Sequence, residues 1–320
     1  LNGDVFLIDM TIHITATICT HNRADMLSSA IQSLLSQTLP PEHYEIIVVD
    51  NHCTDDSAAL ARAWQDRVGH ERLRLLHEPR LGLSHARNTG LRAATGEIIA
   101  FMDDDGVAEA SWLAELMNAY DAFPDAWAIG GKIVPAWEGN RPSWLIDSLL
   151  PQLSMLDLGD TAHLLEKEEM LFGANCSFRQ CAFEELGLFR TDLGRHADQM
   201  LGSEETEYQK RILQHGKSVA YTPHAVVHHC VVAERLQKRY FARLAHGKGR
   251  TSAVLAMTDP WLRSTIVRRM ARGGLGVVWH WLMLAFRPYD ERRQLQCMRV
   301  TAHWVGFTSE VLMRGRRHVV

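Results

Sequence analysis

Short apolar runs alternate with amphipathic stretches from Ile12 to Asp103. This alternation limits, more than any other feature, what the 320-residue chain can fold into. Ile12–Cys19, Glu45–Asp50, Leu73–His77 and Glu97–Asp103 read as strands, with helices over Met26–Ser36, Asp56–Val68 and Leu83–Ala94 between them. Pro40-Pro41, Pro79 and Gly96 mark the joints, as turn formers do. Strands alternating with helices build βαβ units and a mainly parallel, open, Rossmann-like α/β sheet. In such sheets the ligand lies beyond the carboxyl ends of the strands. Those ends carry Thr20-His21-Asn22-Arg23, then Asp50-Asn51-His52-Cys53-Thr54-Asp55, then Asp103-Asp104-Asp105. Polar groups gathered at three successive strand ends are more than a chance acidic turn.

The Asp triplet carries the most chemistry. Side chains alternate along an extended segment, so Asp103 and Asp105 share a face and Asp104 points the other way. Two hard oxygen ligands on one face suit Mn²⁺ or Mg²⁺, ions that usually sit between a few carboxylates and substrate phosphates. Three adjacent carboxylates also require counter-charge.

Beyond Trp112 the pattern loosens. Ala128–Pro135 reads as a strand and Ser143–Leu165 as irregular. Leu171–Arg179 reads as a strand facing the site, and Ala182–Leu186 and Glu204–His215 as helices. Ser218–His228 is the last strand; Glu234–His246, Trp261–Arg272 and Glu291–Leu312 then read as basic helices. Gly274–Phe286 is apolar apart from His280 but too short to span a bilayer. The expected organisation is an α/β domain over residues 10–230, split near 110 into a nucleotide half and an acceptor half. A helical region over 231–320 follows. Charge divides the same way. From Val231 onward there are 17 Lys+Arg against 5 Asp+Glu, and before it 17 against 33, so a body near −16 joins a tail near +12. Such asymmetry points to an anionic partner for the tail. Six cysteines in a chain this long do not make a disulfide framework. Leu1–Asp9 lacks the basic start of a secretory signal, so Met10 reads as a natural start and the protein as cytoplasmic.

The strand-end residues, taken in order, bring a family into view. The stretches are Thr20-His21-Asn22-Arg23, Val48-Val49-Asp50-Asn51, Gly82 to Gly90 with Arg87-Asn88, and Gly96 to Asp105. Gly173-Ala174-Asn175, Glu204-Glu205-Thr206-Glu207 and Pro223 to His228 complete the set. From Thr17 to about His229 this sequence resembles the family 2 glycosyltransferases of the GT-A fold. The resemblance implies a sugar transferred, with inversion, from a nucleotide-sugar donor, UDP-linked, to a glycan or lipid-linked acceptor in surface polysaccharide or glycoconjugate synthesis. It implies that Thr20, Asn22, Arg23, Asp50 and Asn51 line the nucleotide pocket, Asp50 accepting from the base. Arg87 would help hold the nucleotide or diphosphate, and Asp104 would contact the ribose or sugar or face solvent. Asp103 and Asp105 match the Asp-x-Asp metal motif, with His228 as a candidate third ligand. Glu205 stands where the family usually has the Asp that acts as base, one methylene longer, with Glu204 as the alternative. A simpler reading makes Ser203 an N-cap with Glu204, Glu205 and Glu207 in the first turn.

Trp112 is expected to pack the helix after the metal loop, and Trp137 or Trp144 to stack on an acceptor sugar. Tyr240-Phe241 and Trp279–Phe286 in the basic tail suit contact with an anionic membrane at the inner face of the cell membrane. The rival is a helical bundle packed on the catalytic domain. A sugar-nucleotide pyrophosphorylase shares the sheet order, but Thr20-His21-Asn22-Arg23 is not a Gly-rich phosphate loop. A non-catalytic nucleic-acid binder is opposed by the acidic body and by the lack of a helix-turn-helix or zinc-finger spacing, so no nucleic-acid partner is expected.

Overall fold

A computed structural model describes residues 12–196, 200–286 and 288–317. The reading of Leu1–Asp9 and of Met10 as a start lies outside the described residues. These form a nine-stranded sheet in which β1 (Ile14–Thr20), β2 (Tyr44–Asp50), β3 (Leu73–His77) and β4 (Ile98–Asp103) are parallel neighbours in the order β3-β2-β1-β4. β5 (Gly106–Ala108), β6 (Ala126–Trp137), β7 (His163–Leu164), β8 (Asn175–Arg179) and β9 (Ser218–Val231) extend it as β4-β8-β6-β9-β5, with β7 pairing β9. β8 runs antiparallel to both β4 and β6, and β9 runs parallel to β6. The carboxyl end of β9 therefore shares an edge with those of β1, β2 and β4. Register aligns the ends: Thr20 lies opposite Asp50, Cys19 opposite Asp103, and Gly106 opposite His229.

Alternation along the strands supplies two cores. On one face, Ile46 and Val48 of β2 pack with Leu27, Ile31 and Leu34 of α1 (Ala24–Leu35) and Trp112 and Leu116 of α4 (Trp112–Ala122). On the other, Ile47 and Val49 join Phe101, Phe178 and Tyr208. α2 (Ser57–Val68) lies between β2 and β3, and α3 (Leu83–Ala93) between β3 and β4. Trp112 is fully buried and donates to Asn175 Oδ1 at 2.8 Å, the packing role expected of it.

The short strand β5 was not foreseen, and β6 and β9 run longer than the sequence suggests, because each pairs with strands distant in sequence. α5 (Gln180–Leu186) and α6 (Glu204–Gln214) are followed by α7 (Lys238–Thr258), the short α8 (Pro260–Arg263), α9 (Ile266–Ala285) and α10 (Glu291–Arg317). α9 continues through Gly273-Gly274, where the sequence suggests two segments. Gly249 and Gly306 let α7 and α10 touch: a Cβ at Gly249 would strike the His303 carbonyl, and one at Gly306 the His246 carbonyl. α7 adds Tyr240, Phe241 and Leu244 to the second core. The membrane-facing role expected of Tyr240-Phe241 is therefore corrected, because both rings are buried against the catalytic body. Trp144 is likewise buried, edge-on to Phe241 at 5.3 Å, and is not free to stack on a sugar. Trp137 is half-buried against the same core. No described helix is long and apolar enough to cross a membrane.

Candidate active site

The strand ends open into a cleft of about 390 Å³, with Thr20 and Arg23 on one side and Arg195, Glu204, Glu205 and Lys248 on the other. Asp103, Asp104 and Asp105 lie along it. Ligand atoms of Asp103, Asp105 and His229 lie within 4.8 Å of one another. The third candidate ligand is thus His229, and the expectation for His228 is corrected. Successive residues of β9 face opposite sides, and His228 turns to Glu109, 3.1 Å away, on the exposed side.

The counter-charge that the triplet needs is supplied by the protein. Asp105 is buried beside Arg235 at 2.7 Å, His229 at 3.2 Å and Arg23 at 3.8 Å. Desolvation alone would raise the Asp105 pKa, but His229, Arg235 and Arg23 together hold its carboxyl well below the usual range. Desolvation and the neighbouring Asp105 charge push Asp104 upward. Asp105 Oδ1 and His229 Nδ1 are buried with no hydrogen-bond partner in the protein. Two carboxylates and an imidazole with orphaned donor atoms fit a divalent ion of the Mn²⁺ type. Arg235 escaped the sequence reading because its partner lies 130 residues earlier. No local pattern announces such a contact.

Arg87 is a buried clamp. Its guanidinium donates to Glu204 Oε1 at 2.6 Å and to the Gly173 carbonyl at 3.1 Å, and approaches Asp103 at 3.6 Å. Through these three contacts Arg87 holds the metal side and the base side of the cleft in one arrangement. These contacts use only part of the guanidinium's five N–H donors, and Arg87 also lines the cleft. Gly173 is explained by the same contact, since a Cβ there would collide with the guanidinium. Overpacking of this kind costs about 1–3 kcal/mol. Gly173→Ala is therefore expected to lower stability by that amount in urea titration and to impair turnover; an unchanged midpoint would contradict the close packing.

Glu204 is buried and consumed by Arg87. Glu205 has no such partner among the described residues. Desolvation first, and the Glu204 charge second, push its pKa up to about 7. α6 begins without a side-chain cap: Ser203 sits at the N-cap position in the left-handed region, φ 73°, and makes no capping hydrogen bond. The simple capping account of these acids is thereby corrected. A non-glycine residue held at positive φ beside functional groups is a strained position.

The expected nucleotide residues separate into two groups. Thr20, Arg23, Asn51, Arg87, Asp103 and Asp104 line the cleft; Asn22 and Asp50 do not. Asn22 accepts from the Thr54 amide at 2.7 Å. Asp50 accepts from the Cys53 amide at 2.8 Å and pairs with His77 at 2.8 Å. Although desolvation raises it, these bonds keep the Asp50 carboxyl below its ordinary range. Asn51 spends its amide on the carbonyls of Glu78 and Arg80 and on the Gly82 amide. It braces the loop that starts α3. α3 in turn holds the segment 189–195: Asn88 exchanges two hydrogen bonds with Phe189, Ser84 donates to the Leu193 carbonyl, and Leu83 N donates to the Arg195 carbonyl. That segment delivers Arg195, whose guanidinium has no carboxylate within pairing distance among the described residues, to the cleft. Sequence reading missed Arg195; only a tertiary clamp brings it there.

Comparison with known proteins agrees with this geometry. The model of the family described as Glycosyl transferase family 2 matches residues 15–187. A glucosyl-dolichyl phosphate glucuronosyltransferase of Haloferax volcanii is 28% identical over 252 residues, covering 77% of this chain and 78% of its own. The succinoglycan biosynthesis protein ExoM of Rhizobium meliloti is 26% identical over 92% of this chain and 91% of its own. The solved mannosyltransferase PcManGT of Pyrobaculum calidifontis, in complex with GDP-Man and Mn²⁺, superposes with a TM-score of 0.59 at 20% identity, over 94% of this chain and 87% of that one. The likeness to that structure confirms the fold. The pyrophosphorylase and nucleic-acid readings are set aside by the family match. The chain belongs to glycosyl transferase family 2, the enzymes that transfer a sugar from a nucleotide-sugar donor.

Proposed function

We propose that the enzyme performs metal-assisted, inverting transfer from a UDP-linked sugar to a lipid-linked or glycan acceptor, with Glu205 as the base. The observation that carries this reading is the pairing within one cleft of an unpartnered carboxylate raised to about 7 with the Asp103, Asp105 and His229 cluster. Asp103, Asp105 and His229 would hold the Mn²⁺ or Mg²⁺. When bound, it neutralises charge developing on the leaving diphosphate. Thr20 and Arg23 receive the nucleotide, with Asp50 bracing the loop behind them through the Cys53 amide and His77, and Arg195 pairs with diphosphate oxygens. Glu205 takes the proton of the acceptor hydroxyl as its oxygen bonds to the anomeric carbon. The bond from that carbon to the diphosphate oxygen breaks on the opposite face, so the configuration inverts. The names of the Haloferax and Rhizobium relatives support lipid-linked glycan or polysaccharide assembly, and the Pyrobaculum neighbour's Mn²⁺ supports the metal.

A panel of UDP- and GDP-sugars, scored for nucleoside diphosphate release with and without Mn²⁺, tests the reading. A UDP-sugar turned over only with metal is expected. Preference for a GDP-sugar would overturn the assignment of the base, and metal-independent turnover would overturn the metal site.

We propose that any membrane contact runs through α9. Leu275, Trp279 and Leu282, with Phe286 at the C-cap, are exposed at 54–79% along one stripe of this helix, Trp279 at 59% and Phe286 at 79%. A helix of this kind lies in the interface with its aromatic residues at headgroup depth. The protein is expected to float with vesicles containing anionic lipid, less so as salt rises. Trp279→Ser with Leu282→Ser is expected to abolish flotation; equal binding by that variant would remove α9 from the membrane. Truncation near Val231 is the wrong test, because it strips Tyr240, Phe241 and Arg235 from the catalytic body.

A further inference from the structure

A second cavity, of about 550 Å³, lies among α7, α9 and α10. It is lined by Lys248, Arg269, Arg272, Arg299 and His303, with Trp304 and Phe307 as an apolar wall. Among the described residues no carboxylate pairs with Lys248, Arg269, Arg272 or Arg299. In the same helices Arg250 and Arg314 pair with Glu310, Lys238 with Glu291, and Arg293 with Asp290, while Arg239, Arg243, Arg268 and Arg292 pair with no carboxylate among the described residues but do not line the cavity. Lys248, Arg269 and Arg272 are exposed and Arg299 is half-buried, so the cavity presents a basic, water-accessible wall that attracts an anion. Arg299 Nε is buried with no hydrogen-bond partner. Lys248 is reached by solvent through the cavities it lines yet flanked by protein, and desolvation, then the Arg299 charge, lowers its pKa. Desolvation lowers the Arg299 pKa as well.

The position of this cavity adds a direction. Lys248 and Gln152 line both it and the catalytic cleft, so a single ligand can reach from one to the other. On its outer side, Leu275, Trp279, Leu282 and Phe286 follow Arg272 at spacings of three and four, which places them on one face of α9. At 1.5 Å per residue, that stripe runs for roughly 16 Å.

We propose that this cavity binds the phosphate or diphosphate of a lipid-linked acceptor, with Arg272, Arg299 and Lys248 on its oxygens, the hydrocarbon along α9 and the sugar end at Glu205. This rests on the lipid-linked acceptor reading given above. Guanidinium groups suit phosphate because their paired N–H donors match its oxygens.

The test uses the full chain with Arg272→Gln and Arg299→Gln, singly, each first shown to keep the parent's melting temperature. Calorimetry without metal compares farnesyl diphosphate with inorganic pyrophosphate. Farnesyl diphosphate is expected to bind, and each variant to weaken it about 10-fold or more, as loss of a charged hydrogen bond does. Pyrophosphate binding as tightly as farnesyl diphosphate would overturn the lipid assignment and mark a site for free phosphate. No binding by either probe, or binding that the variants leave unchanged, would overturn the site. A kinetic arm separates this inference from the reading beneath it. Transfer to a polyprenyl-diphosphate-linked sugar is expected to show a raised KM in the variants, with transfer to an uncharged alkyl glycoside unaffected. If the parent enzyme uses the alkyl glycoside alone, the acceptor reading fails. If it uses both and the variants change neither, only the cavity assignment fails.

Discussion

Asp103→Asn is expected to abolish metal-dependent donor binding and to lower turnover by roughly 10²–10³-fold. A bound divalent ion contributes several kcal/mol of charge stabilisation, and each 1.36 kcal/mol is tenfold in rate. Asp103 is the right member of the triplet to change. Its side chain is 30% exposed and its contact to Arg87, at 3.6 Å, is the longest that Arg87 makes to a carboxylate. Asp105 is different. It is buried among Arg235, His229 and Arg23, so Asp105→Ala would strand buried positive charge, and breaking one side of such a pair costs about 3–5 kcal/mol. Loss of activity in Asp105→Ala would then report unfolding as readily as metal loss. For Asp103→Asn, calorimetry with UDP and Mn²⁺ and a melting curve suffice. Unchanged nucleotide affinity with metal would remove the metal from this site.

How much of this was legible in the sequence follows from the range of the interactions involved. The parallel half of the sheet is written locally: each of β1 to β4 is a short apolar run with its polar residues at the strand end, and single crossover helices join β1 to β2 and β2 to β3, while β4 returns past them to pair with β1. The acids of the site were therefore visible, as were their order and Glu205. What could not be read depends on contacts between distant segments. His229 was taken for its neighbour because the register of β9 against β5, Gly106 opposite His229, decides which histidine faces Asp105. The clamp between Arg87 and Glu204 is invisible locally because the two lie 117 residues apart. Arg195 lies in a segment with no periodicity and Arg235 at the start of one read as a helix, and only the bonds from α3 and the ion pair with Asp105 place them. The tail looked uniformly basic, yet some of its charges pair within the bundle and four of them, Lys248, Arg269, Arg272 and Arg299, line one cavity.

Glu205→Gln is expected to reduce transfer by about 10²–10⁴-fold, the usual contribution of a positioned base, while leaving nucleotide affinity with metal unchanged. The amide keeps the shape of the side chain but cannot take a proton. Because desolvation and Glu204 raise the Glu205 pKa to about 7, the parent enzyme should lose activity as pH falls through that value. An ordinary Glu would not lose it until nearer 4.3. The same shift has a consequence for stability with a defined sign. A carboxyl whose folded pKa exceeds its unfolded one favours the folded state below the unfolded value, and that contribution is lost as pH rises through the folded value. Ionised Glu205 therefore opposes folding at pH 8, and Glu205→Gln should melt higher than the parent there, with the difference shrinking toward pH 4. Glu204→Gln should behave in the opposite way, losing stability near neutral pH because it breaks a buried pair with Arg87 at 2.6 Å. An inactive Glu204→Gln that melts like the parent, beside an active Glu205→Gln, would move the base to Glu204. Inactivity combined with a higher melting temperature at alkaline pH in Glu205→Gln alone is the signature of a catalytic carboxylate held at a cost to the fold.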